Sequence, residues 1–381
     1  MKPPVGPQYG FGLYVHWPYC AKICPYCDFN VYAAKARHTG PLLEAICNDI
    51  QRQHEQLPQH PPLTSIFLGG GTPSLLKPSE MATIIDTAQR SFGLNAGAEI
   101  TLEANPNDVL TRDLAGWRAA GVNRLSVGVQ SLNDEALAFL GRDHDSAKAR
   151  AAITAVQAQF DNHSVDLIYA LPGQSIATWQ AELNAVLDLG APHLSLYELT
   201  IAERTAFGRR AERGELVPLP DDDQADLYEV TQAICDTAGL PAYEVSNHAR
   251  APRYQSVHNQ IYWDSGDWIG VGPGAHGRLT IDGKRLSTEA ARRPADYIDA
   301  PGTAMIELSQ ADTALELLAM GLRPASGLDL RRYSALNGKS PDAATLQASV
   351  DAYGPQGARS QPEPTPLTVG YLPGHVKPPT T

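Results

Sequence analysis

The sequence predicts an α/β fold, an incomplete (β/α)6 barrel followed by a smaller C-terminal α/β region whose last part is irregular. Three observations predict it. Strand-like and helix-like segments alternate from the N-terminus, the pattern of repeated βα units and a mostly parallel sheet. Six strand candidates precede the point where that alternation ends. Several of them carry polar residues on the inward face, which a closed barrel filled with branched apolar layers leaves unsatisfied. A wider barrel with a ligand in its mouth satisfies them.

In order, the strand candidates are Gly12–Trp17, Ser65–Leu68, Glu99–Ala104, Arg124–Gln130, Val165–Ala170 and His193–Leu199. Between them Leu42–Gln56, Pro78–Arg90, Asp108–Ala120, Ala147–Phe160 and Ile176–Leu189 place apolar residues near the helical period. Lys77-Pro78-Ser79-Glu80 reads as a helix start, and so does Asn105-Pro106-Asn107-Asp108, with Asn107 at the boundary. Gly121 and Gly190 read as helix stops. In Arg124–Gln130, Leu125, Val127 and Val129 share one face and Ser126, Gly128 and Gln130 the other, because side chains alternate along a strand. The same alternation turns Tyr14 with His16, Thr101 with Glu103, and Ser195 with Tyr197 inward.

A chain of 381 residues is long enough for one large α/β domain and a smaller one. The organisation expected is a core barrel over 1–240, a C-terminal region over 241–348 and a Pro-rich tail over 349–381. The tail has few core-forming residues and is expected to be disordered. A reading-frame change or truncation in the coding sequence would account for it. The net charge of −12 offers no basic face to displace counterions from phosphates, which argues against nucleic acid as a partner. The N-terminus lacks an apolar signal core, and no apolar run is long enough to span a bilayer. A reducing, cytoplasmic setting is the expectation, with small molecules or proteins as partners.

The chemistry concentrates in Cys20, Cys24 and Cys27, a Cys-x3-Cys-x2-Cys loop directly after the first strand and its proline stop. Thiolates bind soft and borderline metals, and three so close can turn toward one centre. A four-iron cluster takes one thiolate per iron, so three cysteines would leave one iron without a protein ligand. Structural zinc is the alternative, with His16 or Asp28 as fourth donor, although no second Cys or His pair follows. Disulfides are a third reading, disfavoured by the absence of a secretion signal. Cys47 and Cys235 stand alone in helical segments and read as small buried hydrophobes.

Other positions are ambiguous by themselves. Gly69-Gly70-Gly71-Thr72 follows the second strand, where glycines let backbone approach a ligand and expose N–H groups, or merely turn. Glu103 reads equally as a capping or salt-bridged carboxylate, Gln130 as a satisfied inner amide and Arg142 as a surface cation. Asp166, within an apolar strand, needs a partner.

The cysteine loop, with Tyr26 before its last cysteine, resembles that of the radical S-adenosylmethionine (SAM) superfamily. The resemblance implies a six-unit (β/α) barrel and a [4Fe-4S] cluster on Cys20, Cys24 and Cys27. It also implies that SAM chelates the open iron and that its reductive cleavage yields a 5′-deoxyadenosyl radical. Gly70, Gly71 and Thr72 would hold SAM's aminoacyl part, and Tyr14, Tyr26, Glu103, Gln130, Arg142 and Asp166 match further SAM-contact positions.

Within the superfamily, His16-Trp-Pro-Tyr-Cys20, Gly69-Gly-Gly-Thr-Pro-Ser74, Glu103-Ala-Asn-Pro106, Leu125-Ser-Val-Gly-Val-Gln-Ser131 and Asp166-Leu-Ile-Tyr-Ala-Leu-Pro-Gly173 resemble the HemN/HemW branch, from about Gly10 to about Gly327. HemN-type coproporphyrinogen III dehydrogenases carry a further cysteine two residues after the third ligand, where this chain has Phe29. His258-Asn259-Gln-Ile-Tyr262-Trp263 resembles the string linked to haem binding in HemW-type haem chaperones. By residue type alone, His258 reads as a hydrogen-bonded structural histidine and Tyr262 and Trp263 as core aromatics. The resemblance makes His258, Asn259, Tyr262 and Trp263 the candidate haem residues, with His276 and His248 as weaker ones. It implies haem, haem-accepting proteins and an electron donor for the cluster as partners, with a second copy of the chain a further candidate. The alternative is radical decarboxylation of porphyrinogen propionates to vinyl groups.

Overall fold

The computed structural model describes residues 3–33, 39–57, 59–338 and 340. The tail expected to be disordered lies outside them. The main sheet has β1 (Phe11–Trp17), β2 (Leu63–Gly70), β3 (Leu94–Ala104), β4 (Arg124–Gln130), β5 (Asn162–Tyr169), β6 (His193–Glu198), β7 (Asn247–Ala249), β8 (Asp267–Val271), β9 (His276–Ile281), β10 (Lys284–Ala290) and β11 (Thr303–Glu307). Their order is β11-β10-β9-β8-β1-β2-β3-β4-β5-β6-β7. The pairs from β8 through β1 to β6 are parallel, whereas β7 and the β9–β11 meander run antiparallel. β7 and β11 do not pair with each other among the described residues, so the sheet stays open.

The six expected strands are the six parallel strands β1 to β6. A seventh parallel strand, β8, lies against β1 in the register Leu13↔Ile269 and Val15↔Val271. The stretch from its middle onward, Ile269-Gly-Val-Gly-Pro-Gly274, is rich in glycine. Its glycines allow close approach: a Cβ on Gly270 would sit 2.2 Å from the His276 carbonyl oxygen. The C-terminal strands thereby extend the barrel's own sheet.

Helices α1 (Thr39–Gln56), α2 (Pro78–Phe92), α3 (Pro106–Thr111), α4 (Ser146–Gln157), α5 (Ile176–Leu187) and α6 (Asp221–Thr237) lie between the early strands and after β6. The helix expected over 108–120 is broken. α3 begins at Pro106 behind Asn105 rather than at Asn107, and Asp113 caps a separate turn of helix, Leu114–Ala119, by accepting from Gly116 N at 2.8 Å. A capping carboxylate competes with continuous helix for its neighbours' N–H groups. Gly121 and Gly190 end their segments with φ of 108° and 81°, conformations open to glycine.

The outer faces of the strands meet the helices in one core that includes Leu13, Val15, Ile66 and Leu68 with Leu42, Ile46, Ile50 and Ile84. A second cluster joins α8 (Gln310–Gly321) and α9 (Leu330–Asn337) through Leu317, Leu318, Leu328 and Tyr333 to Val5 of the N-terminus. Arg332 ties α9 to the N-terminal segment by donating to Pro4 O at 2.8 Å and lying 3.7 Å over the Tyr9 ring. No helix among the described residues is long and apolar enough to cross a membrane.

The junction of β8 with the meander rests on a buried ion pair. Asp267 accepts from Arg285 Nη1, from Thr280 N at 2.7 Å and from Thr280 Oγ1 at 2.9 Å, while Arg285 Nη2 donates to Gly266 O at 2.9 Å. Removing one partner strands the other charge in the interior. Asp267→Ala is expected to lower unfolding free energy by about 3–5 kcal/mol in urea titrations. A loss below about 1 kcal/mol would show that the pair does not brace this junction.

Candidate functional site

The parallel strands end on one rim, around a cavity of about 600 Å³. Strand alternation explains what each contributes. Thr101 and Glu103 come from β3, Ser126 and Gly128 from β4, Asp166 from β5, and Ser195 and Tyr197 from β6. The cysteine loop after β1 and Gly70–Thr72 after β2 complete the lining.

The glycine turn is locked to the cysteine loop. Gly71 N donates to Trp17 O at 2.7 Å and Thr72 N to Tyr19 O at 2.9 Å. A Cβ on Gly71 would lie 2.8 Å from Trp17 O and 2.9 Å from Tyr19 O, and one on Gly70, whose φ is 104°, would lie 2.5 Å from the His16 ring. Gly70 N donates to Glu103 Oε2 at 3.0 Å. The N–H groups expected to face a ligand at Gly70, Gly71 and Thr72 are therefore used within the protein. These glycines act by permitting contact.

At Gln130 the sheet departs from regularity. β4 slips against β5 between Gly128 and Gln130, and Gln130 takes φ of 68°. A non-glycine residue in that region is held there at an energetic cost, and bulges re-aim side chains near sites. Gln130 lines the cavity as a result.

Cys20, Cys24 and Cys27 line the same cavity. Burial pushes the Cys20 thiol up and that of Cys27 up to about 12, so a bound cation is needed to hold them as thiolates. No three donor side chains among the described residues converge tightly enough for a single metal ion. A cubane takes one thiolate per iron, so three thiols lining one cavity supply three of its corners. Of the two fourth donors considered for zinc, His16 is occupied on both ring nitrogens, by Tyr14 OH at 2.9 Å and Asn30 O at 2.9 Å, while Asp28 lines the cavity with the thiols. The donor set fits three corners of a [4Fe-4S] cluster.

Arg142 is an inner cation: Nη1 donates to Cys24 Sγ at 3.2 Å and Nη2 to Gly128 O at 3.0 Å and to Asn105 Oδ1. Burial and the neighbouring Asp166 carboxylate push Glu103 up to about 7. Burial also raises Asp166, which accepts from Ser126 Oγ at 2.9 Å and Ser164 Oγ at 2.9 Å. Two crowded, desolvated carboxyls suit a cationic ligand.

Of the residues singled out by sequence, Tyr26, Gly70, Gly71, Thr72, Glu103, Gln130, Arg142, Asp166 and Asn259 line the cavity together with the three cysteines. Tyr14 is not part of the lining, and its hydroxyl meets His16. His258 stands behind the wall, on α7 (Val257–Trp263), stacked 5.2 Å from Phe67. Its ring nitrogens are bonded to Ser65 Oγ at 2.8 Å and Tyr262 OH at 2.6 Å, and burial lowers its pKa to about 3. Trp263 packs 5.9 Å from Tyr243, away from the lining. His248 is buried outside the lining, and His276 lies on β9 beside Glu289.

Sequence reading missed several lining residues. Glu198 accepts from Tyr169 OH at 3.2 Å and burial pushes it up to about 7. His193 links Ser164 Oγ at 2.8 Å to Tyr243 OH at 2.8 Å. Alternation with Ser195 and Tyr197 signalled His193, whereas Asn247 comes from a strand whose antiparallel return no local pattern announces. The Thr101 hydroxyl and Asn247 Oδ1 are buried without a protein partner, as expected of a cavity built for a polar ligand.

Residues 14–186 match the family model for the radical SAM superfamily. "Radical S-adenosyl methionine domain-containing protein 1, mitochondrial" of Danio rerio is 37% identical over 345 residues, which cover 87% of this chain and 76% of that protein. "Heme chaperone HemW" of Escherichia coli is 41% identical over 294 residues, 75% of each chain. The protein of the same description from Mycobacterium tuberculosis is 36% identical over 362 residues, 92% of each. Among solved structures, coproporphyrinogen III oxidase (HemN) from Escherichia coli superposes with a TM-score of 0.72 over 87% of this chain and 79% of its own, at 23% identity, a likeness of fold.

Two substitutions probe the wall. Glu103 titrates in the folded protein near 7, above an unfolded carboxyl near 4.3, so its stabilising contribution is full below the lower value and lost as pH rises through the upper. In urea unfolding without ligand, the wild type should lose about 2–3 kcal/mol relative to Glu103→Gln between pH 5 and pH 8. Parallel pH profiles would contradict this. His258→Ala removes a packed ring and leaves two partners unpaired, and should lower stability by about 2–4 kcal/mol without haem present. An unchanged unfolding midpoint would deny the ring a bracing role.

Proposed function

The chain belongs to the HemW family of radical SAM proteins, and from that premise we propose that it binds haem and hands it to acceptor proteins, with a [4Fe-4S] cluster and SAM held at the cavity rim. The observation that carries this is the meeting, on one 600 Å³ cavity, of three thiols, the glycine turn and the raised carboxyls of Glu103 and Asp166. Cys20, Cys24 and Cys27 would hold the cluster, which with SAM supplies one-electron reductive chemistry there. Arg142 steadies the Cys24 sulfur as a charge-assisted donor. Glu103 and Asp166 regain their charge when an ammonium or sulfonium group enters, which favours a cationic ligand over a neutral one. Gly70, Gly71 and Thr72 form the adjoining wall, and Gln130 and Tyr26 add a polar and an aromatic contact.

For haem, Asn259 is the residue of the His258-to-Trp263 string that reaches the cavity. His258 and Tyr262 brace the helix that carries it. Use of His258 as an iron ligand requires breaking its bonds to Ser65 and Tyr262 at about 1 kcal/mol each, besides opening the wall. The cytoplasm is the setting this reading implies, with a reductant for the cluster and haem-accepting proteins as partners.

The test uses anaerobically reconstituted protein. Haemin should be retained through gel filtration, and coproporphyrinogen III with SAM and a reductant should yield no vinyl product. Vinyl groups in the product would overturn the carrier reading in favour of propionate decarboxylation. Joint replacement of Cys20, Cys24 and Cys27 by serine should abolish iron and acid-labile sulfide, and persistence of both would remove the cluster assignment.

A further inference from the structure

The cysteine loop leaves two large apolar side chains in water, Phe29 at 65% and Ile23 at 44% exposure. Both line the cavity that holds the three thiols, and Tyr197 of β6, 42% exposed, adds a ring to the same lining. Single exposed hydrophobics are ordinary, but several around one concave opening form a binding patch. Charge says what the patch suits. Lys22, next to Ile23, is exposed, lines the cavity and makes no ion pair among the described residues.

The other cations of the lining are committed. Arg142 holds Cys24, Asn105 and the Gly128 carbonyl, Arg323 holds Glu244 at 2.8 Å, and Arg124 holds Asn162 and the Tyr254 carbonyl. The cysteine loop also carries the exposed Asp28 carboxylate beside Phe29; on the Ile23 side, the uncommitted ammonium of Lys22 makes the apolar rim complementary to a flat apolar macrocycle with a carboxylate tail. The alternative seat, around His258, is closed: that ring is 1% exposed and both nitrogens are bonded within the protein.

We propose that haem seats on the cavity mouth, its face against Ile23 and Phe29 and a propionate at Lys22, rather than among the aromatic residues of α7. This rests on the haem-carrier reading and places its cargo. Haem on the mouth lies where an acceptor protein can reach it without unfolding the wall.

The experiment titrates haemin into full-length, cluster-loaded protein and follows the Soret band, comparing variants at equal iron and sulfide content. Ile23→Ser with Phe29→Ser should weaken binding about tenfold or more, and Lys22→Glu about threefold or more, while Phe29→Trp, which keeps a flat apolar face, should stay within about twofold of the wild type. The tryptophan variant keeps the test readable if the serine pair folds poorly, since haem binding lost with Phe29→Trp would contradict a hydrophobic seat. The proposal is overturned if the serine pair binds within about twofold of the wild type, or if Asn259→Ala is the change that costs tenfold. Unchanged haem affinity with slower cluster reduction by a redox protein would also overturn it, assigning the patch to protein docking. Wild-type protein that binds no haem would bring down the carrier reading itself.

Discussion

The site depends on one close contact between backbones. Gly71 lies against the chain at Trp17 and Tyr19, at a separation that any Cβ would violate, and two short N–H bonds hold it there. Where β1 ends and the cysteine loop begins is set by this contact, since the loop leaves the sheet at the residues it clamps. The same turn presents Gly70 N to Glu103, which carries the constraint across to β3. Loop, turn and carboxylate are therefore one mechanical unit, and a shift in any of them moves the others.

Around that unit the interior is unusually polar. Asp166, Ser164, His193 and Tyr243 form a hydrogen-bonded chain from the cavity to Ser256 N, at the start of α7. Buried polar groups of this kind are tolerable when every member has a partner. Thr101 Oγ1 and Asn247 Oδ1 lie in the cavity lining without a protein partner, so part of the interior's unmet hydrogen-bonding capacity is placed where a ligand can use it. Desolvation likewise accumulates on Glu103, Asp166 and Glu198, which makes the empty site a poor place for anions and a good one for cations.

The apolar rim adds a second, different chemistry at the outer end of the same cavity. A polar, cation-seeking interior and a mouth of Ile23 and Phe29 divide the opening between two ligand classes. Small charged cofactors belong inside and a large flat one outside. The two share the cysteine loop, so cluster loading and cargo binding act on one segment of chain.

The six parallel strands, their inward polar residues and the cysteine triplet could all be read along the chain, because strand alternation and thiol spacing are local properties. Glu103, Gln130, Arg142 and Asp166 were visible as chemistry-bearing residues, ambiguous one by one and gathered into one site only by the family resemblance. Only the tertiary structure decided what required distant segments to meet. Asp267–Val271 became a seventh parallel strand because β1 had a free edge to pair with. The glycine N–H groups turned inward because the carbonyls of Trp17 and Tyr19 lay within reach. His258 became a brace because Ser65 and Tyr262 claimed its two nitrogens. Residue type and spacing determine what a side chain is able to bind, and packing determines which partner arrives first.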